Sequence, residues 1–172
     1  YDQKVQKQQL EDELKKKNDR TYQDIVSGSV GVERGKPVLN LTKAELGFAE
    51  EFRKHNGIAR DGLAIGLNTA AGSRWKGKML SAEKTIALAK ALKDNVDCQL
   101  LLFGGPQEEG RNKKIALELG DTIIDAGTNH PLREFAALVS ICDVLITSDS
   151  LALHLGVALG KKIIAFFGPT SA

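Results

Sequence analysis

From Leu63 onward the sequence alternates between short apolar runs and longer segments of helical period, and this rhythm limits the folds open to it. The runs are "LAIGLN" (63–68), "QLLLF" (99–103), "TIID" (122–125), "VLIT" (144–147) and "KIIAFF" (162–167). Between them lie segments such as "SAEKTIALAKALKDN", "EEGRNKKIALELG" and "LREFAALVSIC", whose apolar residues recur at helical spacing. Strands joined by helical crossovers pair in parallel. Runs with little polar alternation suit strands covered on both faces, and right-handed crossovers then give an open, doubly wound parallel α/β sheet of Rossmann-like type. Ligands of such sheets sit beyond the carboxyl ends of the strands. The segments that follow each strand are therefore the ones to inspect.

Those segments are polar and glycine-rich. After the first strand comes "TAAGSRWKGKML", with Arg74, Lys76 and Lys78 gathered ahead of a helix that Ser81 is placed to cap. Cations beside free backbone amides favour an anion. "GGPQEEG", "AGTNHP", "SDS" and "GPTSA" follow the other four strands. Neither G-x-G-x-x-G nor G-x-x-x-x-G-K-[ST] occurs after the first strand, which argues against a dinucleotide-dependent oxidoreductase and a P-loop NTPase. In "SDSLALHLGVALG", Ser150 as N-cap would put His154 one turn inside the helix. Helical side chains lean toward the N-terminus, so the imidazole would face the mouth of the sheet, where the helix dipole is positive. The competing reading is a histidine satisfied within an apolar helix.

Composition removes other classes. The 172 residues include 24 basic and 22 acidic side chains, interspersed, for a net charge of +2, so no basic stripe is present to neutralise a nucleic-acid backbone. No apolar run approaches the roughly 20 residues that cross a bilayer, and "YDQKVQKQQLEDELKKKNDR" is the opposite of a signal peptide. A cytoplasmic location follows as the expectation. Cys98 and Cys142 stand singly beside apolar runs, as reduced core residues do.

Residues 1–57 read as a helical, linker-like arm and 58–172 as a domain whose last elements are missing. The arm opens in good helix formers with sparse apolar positions, Val5, Leu10 and Leu14. "SGSVGVERGKP" is a break, after which Thr42 and Glu45 form a capping box ahead of Leu46, Ala49 and Phe52, and Gly57 closes the helix.

The order "IGLNTAAGSRWKGKMLSAEKTIALAKAL", "LLFGGPQEEGRNKKIA", "HPLREFAALVSICDVLITSDSLALHLGVALGKKIIAFFGPT" resembles the C-terminal half of glycosyltransferase family 9, the ADP-heptose:lipopolysaccharide heptosyltransferases. The most specific part is the Asp-Ser-x-x-x-His helix followed by a strand and Gly-Pro-Thr. The resemblance implies a GT-B fold, two Rossmann-like domains across a cleft, with this chain as the nucleotide-sugar donor domain. It implies that Lys78 contacts the donor phosphates, that Glu108 hydrogen-bonds the ribose, with Glu109 as its neighbouring substitute, and that His130 falls at the adenine pocket. It sets Asp149 near the donor sugar and Ser150 and His154 at the pyrophosphate, with Thr69 and Ser73 as further donor-site positions. Arg74 and Trp75 are left between surface and loop packing. The family's glycine after Asp-Ser is Leu151 here, so either the turn is an ordinary helix start or donor binding is weakened. Gly156 reads as a helix-packing glycine.

The implied reaction passes heptose from an ADP-sugar donor to the inner core of lipopolysaccharide. No Asp-x-Asp occurs, and the expectation is a metal-independent enzyme without cofactor. The resemblance assigns the catalytic base to the N-terminal domain, so this chain is expected to bind donor without turnover. The resemblance further implies that the acceptor engages the other domain and allows peripheral association of the full-length protein with the inner face of the cytoplasmic membrane; no nucleic acid is expected. Two alternatives stay open: another GT-B nucleotide-sugar enzyme, including a sugar-nucleotide epimerase, and a non-catalytic nucleotide-binding module.

Overall fold

Strand β1 (Ala64–Asn68) is buried along its whole length, as a run without polar alternation requires. The computed structural model of the chain describes residues 19–70 and 77–168. With β2 (Gln99–Leu102), β3 (Ile123–Asp125), β4 (Val144–Ser148) and β5 (Lys162–Phe166) it forms one sheet in the order β3-β2-β1-β4-β5, every pair parallel. The order reverses between β1 and β4, so their carboxyl ends diverge into a crevice. The doubly wound sheet expected from the apolar runs is the one observed.

Side-chain alternation divides the core in two. Leu101, Phe103 and Leu145 point to one face, with α2 (Lys43–His55) and α5 (Leu132–Ile141) supplying Ala49, Ala137 and Leu138. Ile65, Leu67, Leu100, Leu102 and Ile146 point to the other, against Ile86 and Ala89 of α3 (Ala82–Asn95) and Ile115 of α4 (Glu109–Leu119). Helix α6 (Leu151–Ala158) crosses from β4 to β5. At Gly66 in β1 a Cβ would come within 2.7 Å of Phe103 and 2.9 Å of the Cys142 sulfur, so only glycine lets the α5 side settle this closely on the sheet. Both cysteines are buried and unpaired, and burial pushes the Cys142 thiol up to about 12.

The chain divides into the units Tyr1–Lys36 and Pro37–Ala172. In the first, the helix α1 (Tyr22–Ser29) starts at a Thr21–Asp24 capping box and ends before Gly31 at φ +69°. The sequence reading passes over that box. The expected helix across the opening residues and its Val5, Leu10 and Leu14 lie outside the described residues. In the second unit, the Thr42–Glu45 box caps α2, with Thr42 N–H donating to Glu45 Oε2 at 2.7 Å. Gly57, at φ +62°, ends it as expected. Phe48 and Phe52 of α2 pack on the core, and Arg133 holds Glu45 through two contacts of 2.6 and 2.7 Å.

Candidate functional site

A cavity of about 730 Å³ opens beyond the carboxyl ends of β1, β2 and β4. Its floor begins at Asn68, the buried last residue of β1, whose Nδ2 donates to Ser150 Oγ at 3.0 Å and Thr147 Oγ1 at 3.2 Å. This amide stitches β1 to β4 at the point where strand order reverses. Ser148 Oγ adds a 2.6 Å bond to the Ala70 carbonyl. The start of the connection after β1 is therefore pinned to β4 before it reaches the cavity.

Lys78 projects into the cavity from that connection and meets Asp149, Nζ to Oδ2, at 2.6 Å. The pair draws together two residues that the resemblance assigns to different parts of a donor. Ser150 occupies the N-cap position of α6 with extended backbone but makes no side-chain cap; its hydroxyl is taken by Asn68 instead. The expected cap is thus absent, because an interstrand partner competes for the same oxygen. Leu151 begins α6, and among the described residues only glycines have positive φ. Of the two readings of that departure, the ordinary helix start is the one observed. His154 is exposed and lines the cavity, which excludes the satisfied core histidine.

Glu108 lines the opposite wall. It is buried at 6% exposure, and its Oε2 accepts from Gly105 N–H at 2.8 Å. A Cβ on Gly104 would meet Asn112 Nδ2 at 2.7 Å and Glu108 Cβ at 3.0 Å, so the first glycine of "GGPQEE" is fixed by this turn. Glu109 points away to Lys113 at 2.6 Å and takes no part in the cavity wall. His130 also lines the cavity; its Nε2 lies 2.6 Å from the Ala126 carbonyl and its ring stands edge-on to Phe48. Leu132, Phe135 and Leu151 form the apolar part of the lining.

Thr69 lies outside that lining, fully buried, with its hydroxyl bonded to Arg111 at 2.7 Å and Thr85 at 2.9 Å. Ser73, like Arg74, Trp75 and Lys76, lies outside the described residues. Asn68 in the cavity lining, and Arg111 and Asn112 behind it, are polar residues that the sequence reading does not single out. Burial pushes the Arg111 guanidinium down, partly offset by the charges of Glu108 and Glu83. Among the described residues no three His, Cys, Asp or Glu side chains cluster to hold a metal.

Sheet order and cavity together define an open α/β domain with a crevice at its switch point, carrying the Lys78–Asp149 ion pair on the β1–β4 side and apolar toward α5. The profile of glycosyltransferase family 9 (heptosyltransferase) matches residues 2–172, and the chain belongs to that family. A 74-residue stretch is 32% identical to lipooligosaccharide heptosyltransferase 2 of Haemophilus influenzae, covering 41% of this chain and 21% of that protein. The family 9 glycosyltransferase of Veillonella parvula superposes with a TM-score of 0.70 at 26% identity over 78% of this chain and 38% of that one. The Escherichia coli ADP-heptose lipopolysaccharide heptosyltransferase II does so at 0.67 and 22%, over 81% and 42%. The chain thus spans about two-fifths of the length of these solved structures.

Proposed function

We propose that this chain is the donor-binding half of a heptosyltransferase that moves heptose from ADP-heptose to the inner core of lipopolysaccharide. The observation that carries the reading is the convergence of Lys78, Glu108, His130, Asp149, Ser150 and His154 on one cavity at the sheet's switch point. A donor laid across it has its diphosphate against Lys78 and the amino end of α6, where charge and dipole favour an anion. Its ribose meets Glu108, its adenine lies toward His130 and the apolar wall of α5, and its sugar reaches Asp149. The ADP-heptose named for the Escherichia coli relative fits that polarity.

In the reaction the bond between the sugar's anomeric carbon and the diphosphate oxygen breaks, and its electron pair leaves with ADP. Lys78, the α6 amides and the His154 imidazole stabilise that departing charge, so no step requires a metal. The acceptor hydroxyl forms the new bond to the anomeric carbon and gives its proton to a carboxylate that we assign to the other Rossmann-like half. That half also carries the lipopolysaccharide acceptor, and the enzyme works in the cytoplasm at the inner membrane face. Among the described residues no helix is long and apolar enough to cross a membrane.

The test is calorimetric titration of the chain with ADP, UDP and GDP. ADP is expected to bind best, and ADP-heptose to displace it. Preference for UDP or GDP would transfer the chain to another nucleotide-sugar chemistry.

A further inference from the structure

Arg111 leaves the first turn of α4 and crosses to the connection between β1 and α3. Its Nη2 donates to Thr69 Oγ1 and Thr85 Oγ1, both at 2.7 Å, and to the Leu80 carbonyl at 3.0 Å; its Nη1 donates to Asn112 Oδ1 at 3.1 Å. All four acceptors are neutral oxygens. Partial burial disfavours the charged guanidinium, and the nearby Glu108 and Glu83 carboxylates offset that only in part. What its planar fork adds is fixed direction among several acceptors.

Three of those acceptors belong to the two ends of one connection, and the fourth, Asn112, is the next residue of α4. Thr69 follows β1, Leu80 precedes α3, and Thr85 lies in that helix's first turns. Leu80 N–H donates to the Thr69 carbonyl at 3.0 Å, closing the base, and Arg111 grips both closing residues. Lys78 stands two residues before Leu80, and on its other side a Cβ on Gly168 would come within 2.6 Å of the Gly77 carbonyl, so little space remains for that backbone to shift. Arg111 itself does not line the cavity.

We propose that Arg111 is the positioning residue of the Lys78 contact: by tying Thr69, Leu80 and Thr85 together it fixes the base from which Lys78 reaches the donor diphosphate. The inference rests on the reading of the cavity as a nucleoside-diphosphate site. It requires that Arg111 act on diphosphate through Lys78 alone and leave the nucleoside part untouched.

Calorimetry with ADP and with adenosine on the parent chain, Arg111→Met, Arg111→Lys, Lys78→Ala and the Arg111→Met/Lys78→Ala double variant tests this. Arg111→Met is expected to weaken ADP about tenfold with adenosine unchanged, and to add almost nothing once Lys78 is gone, as coupled residues do. Arg111→Lys keeps the charge without the fork and is expected to recover only part of the loss. Hydrogen exchange supplies a ligand-free readout: the Leu80 amide should lose protection in Arg111→Met while that of Phe103, bonded to Leu67 inside the sheet, keeps it. Multiplying effects of Arg111→Met and Lys78→Ala, or equal loss of ADP and adenosine in both Arg111 variants, would overturn the role of Arg111 alone. A parent chain that binds neither ligand would overturn the nucleotide reading and this inference with it.

Discussion

At the scale of single residues the controlling feature is the Lys78–Asp149 pair, 2.6 Å long with side chains only 12% and 25% exposed. Without ligand the lysine is engaged by a carboxylate, and an arriving diphosphate must both compete for that lysine and approach a negative charge. Lys78→Ala should therefore weaken ADP by roughly 1.5–3 kcal/mol, the worth of a charge-assisted hydrogen bond. Asp149→Asn should do the reverse and tighten ADP several-fold while weakening the sugar nucleotide relative to ADP. Calorimetry reads both; equal ADP affinity in Lys78→Ala and parent would remove the lysine from the site. His154→Ala should weaken ADP several-fold and leave adenosine unchanged, since the imidazole lines the cavity on α6 beside Ser150 and Leu151. Unchanged ADP affinity would assign the imidazole elsewhere. Six of the eight residues named from sequence share the cavity: the pattern marks the segments beyond the strands, and the family resemblance singles out these residues within them. Asn68 and Arg111 escape it, since what makes them matter is a partner 82 or 42 residues away.

At the scale of elements, the apolar runs translate almost residue for residue into strands, because a doubly covered strand such as β1, β2 or β4 needs nothing beyond being apolar, while β5 is only partly covered. The helix ends are less legible. Thr42 and Thr21 cap as their sequences suggest, whereas Ser150 occupies the same kind of position and gives its hydroxyl to Asn68, a competition invisible to local spacing. The link between α2 and α5 makes stability depend on acid. Arg133 and the Thr42 amide hold the Glu45 carboxyl down from 4.5 to about 2. A group depressed in the folded state contributes stability that is complete above its unfolded value and lost as pH falls through the folded one. Denaturant titrations should show the parent's advantage over Glu45→Gln intact at pH 6 and shrinking between about pH 4.5 and 2. An advantage constant over that window would mean that the carboxylate charge contributes nothing. Gly156 in α6 is a packing glycine in fact: an added Cβ would lie 2.9 Å from Leu145 Cδ2 and 3.1 Å from Ile163 Cδ1. Gly156→Ala should cost about 1–3 kcal/mol in the same titrations through overpacking, less whatever alanine returns in helix propensity.

At the scale of the whole molecule, the cavity has its charged side on β1 and β4 and its apolar side on α5, and its volume of about 730 Å³ suits a nucleotide-sized ligand. One domain encloses such a ligand on one side only, so affinity for ADP should be modest, roughly micromolar to millimolar. With the departing diphosphate assigned to Lys78 and the amino end of α6, that affinity should be nearly the same in EDTA and in excess Mg²⁺. A large fall on chelation would mean that a metal, and not these groups, carries the phosphates. The division of labour across a GT-B cleft leads to a sharper expectation. Transfer needs the donor's anomeric carbon, an acceptor hydroxyl and a base within reach of its proton, and the donor half provides only the first. Asp149, the carboxylate we assign to the donor sugar, is paired with Lys78 at 2.6 Å. The 172-residue chain should therefore bind ADP-heptose yet yield no glycosylated product when incubated with a lipopolysaccharide core acceptor, as mass spectrometry of the acceptor would record. Measurable transfer by the chain alone, abolished in Asp149→Asn, would reverse that assignment and make Asp149 the base.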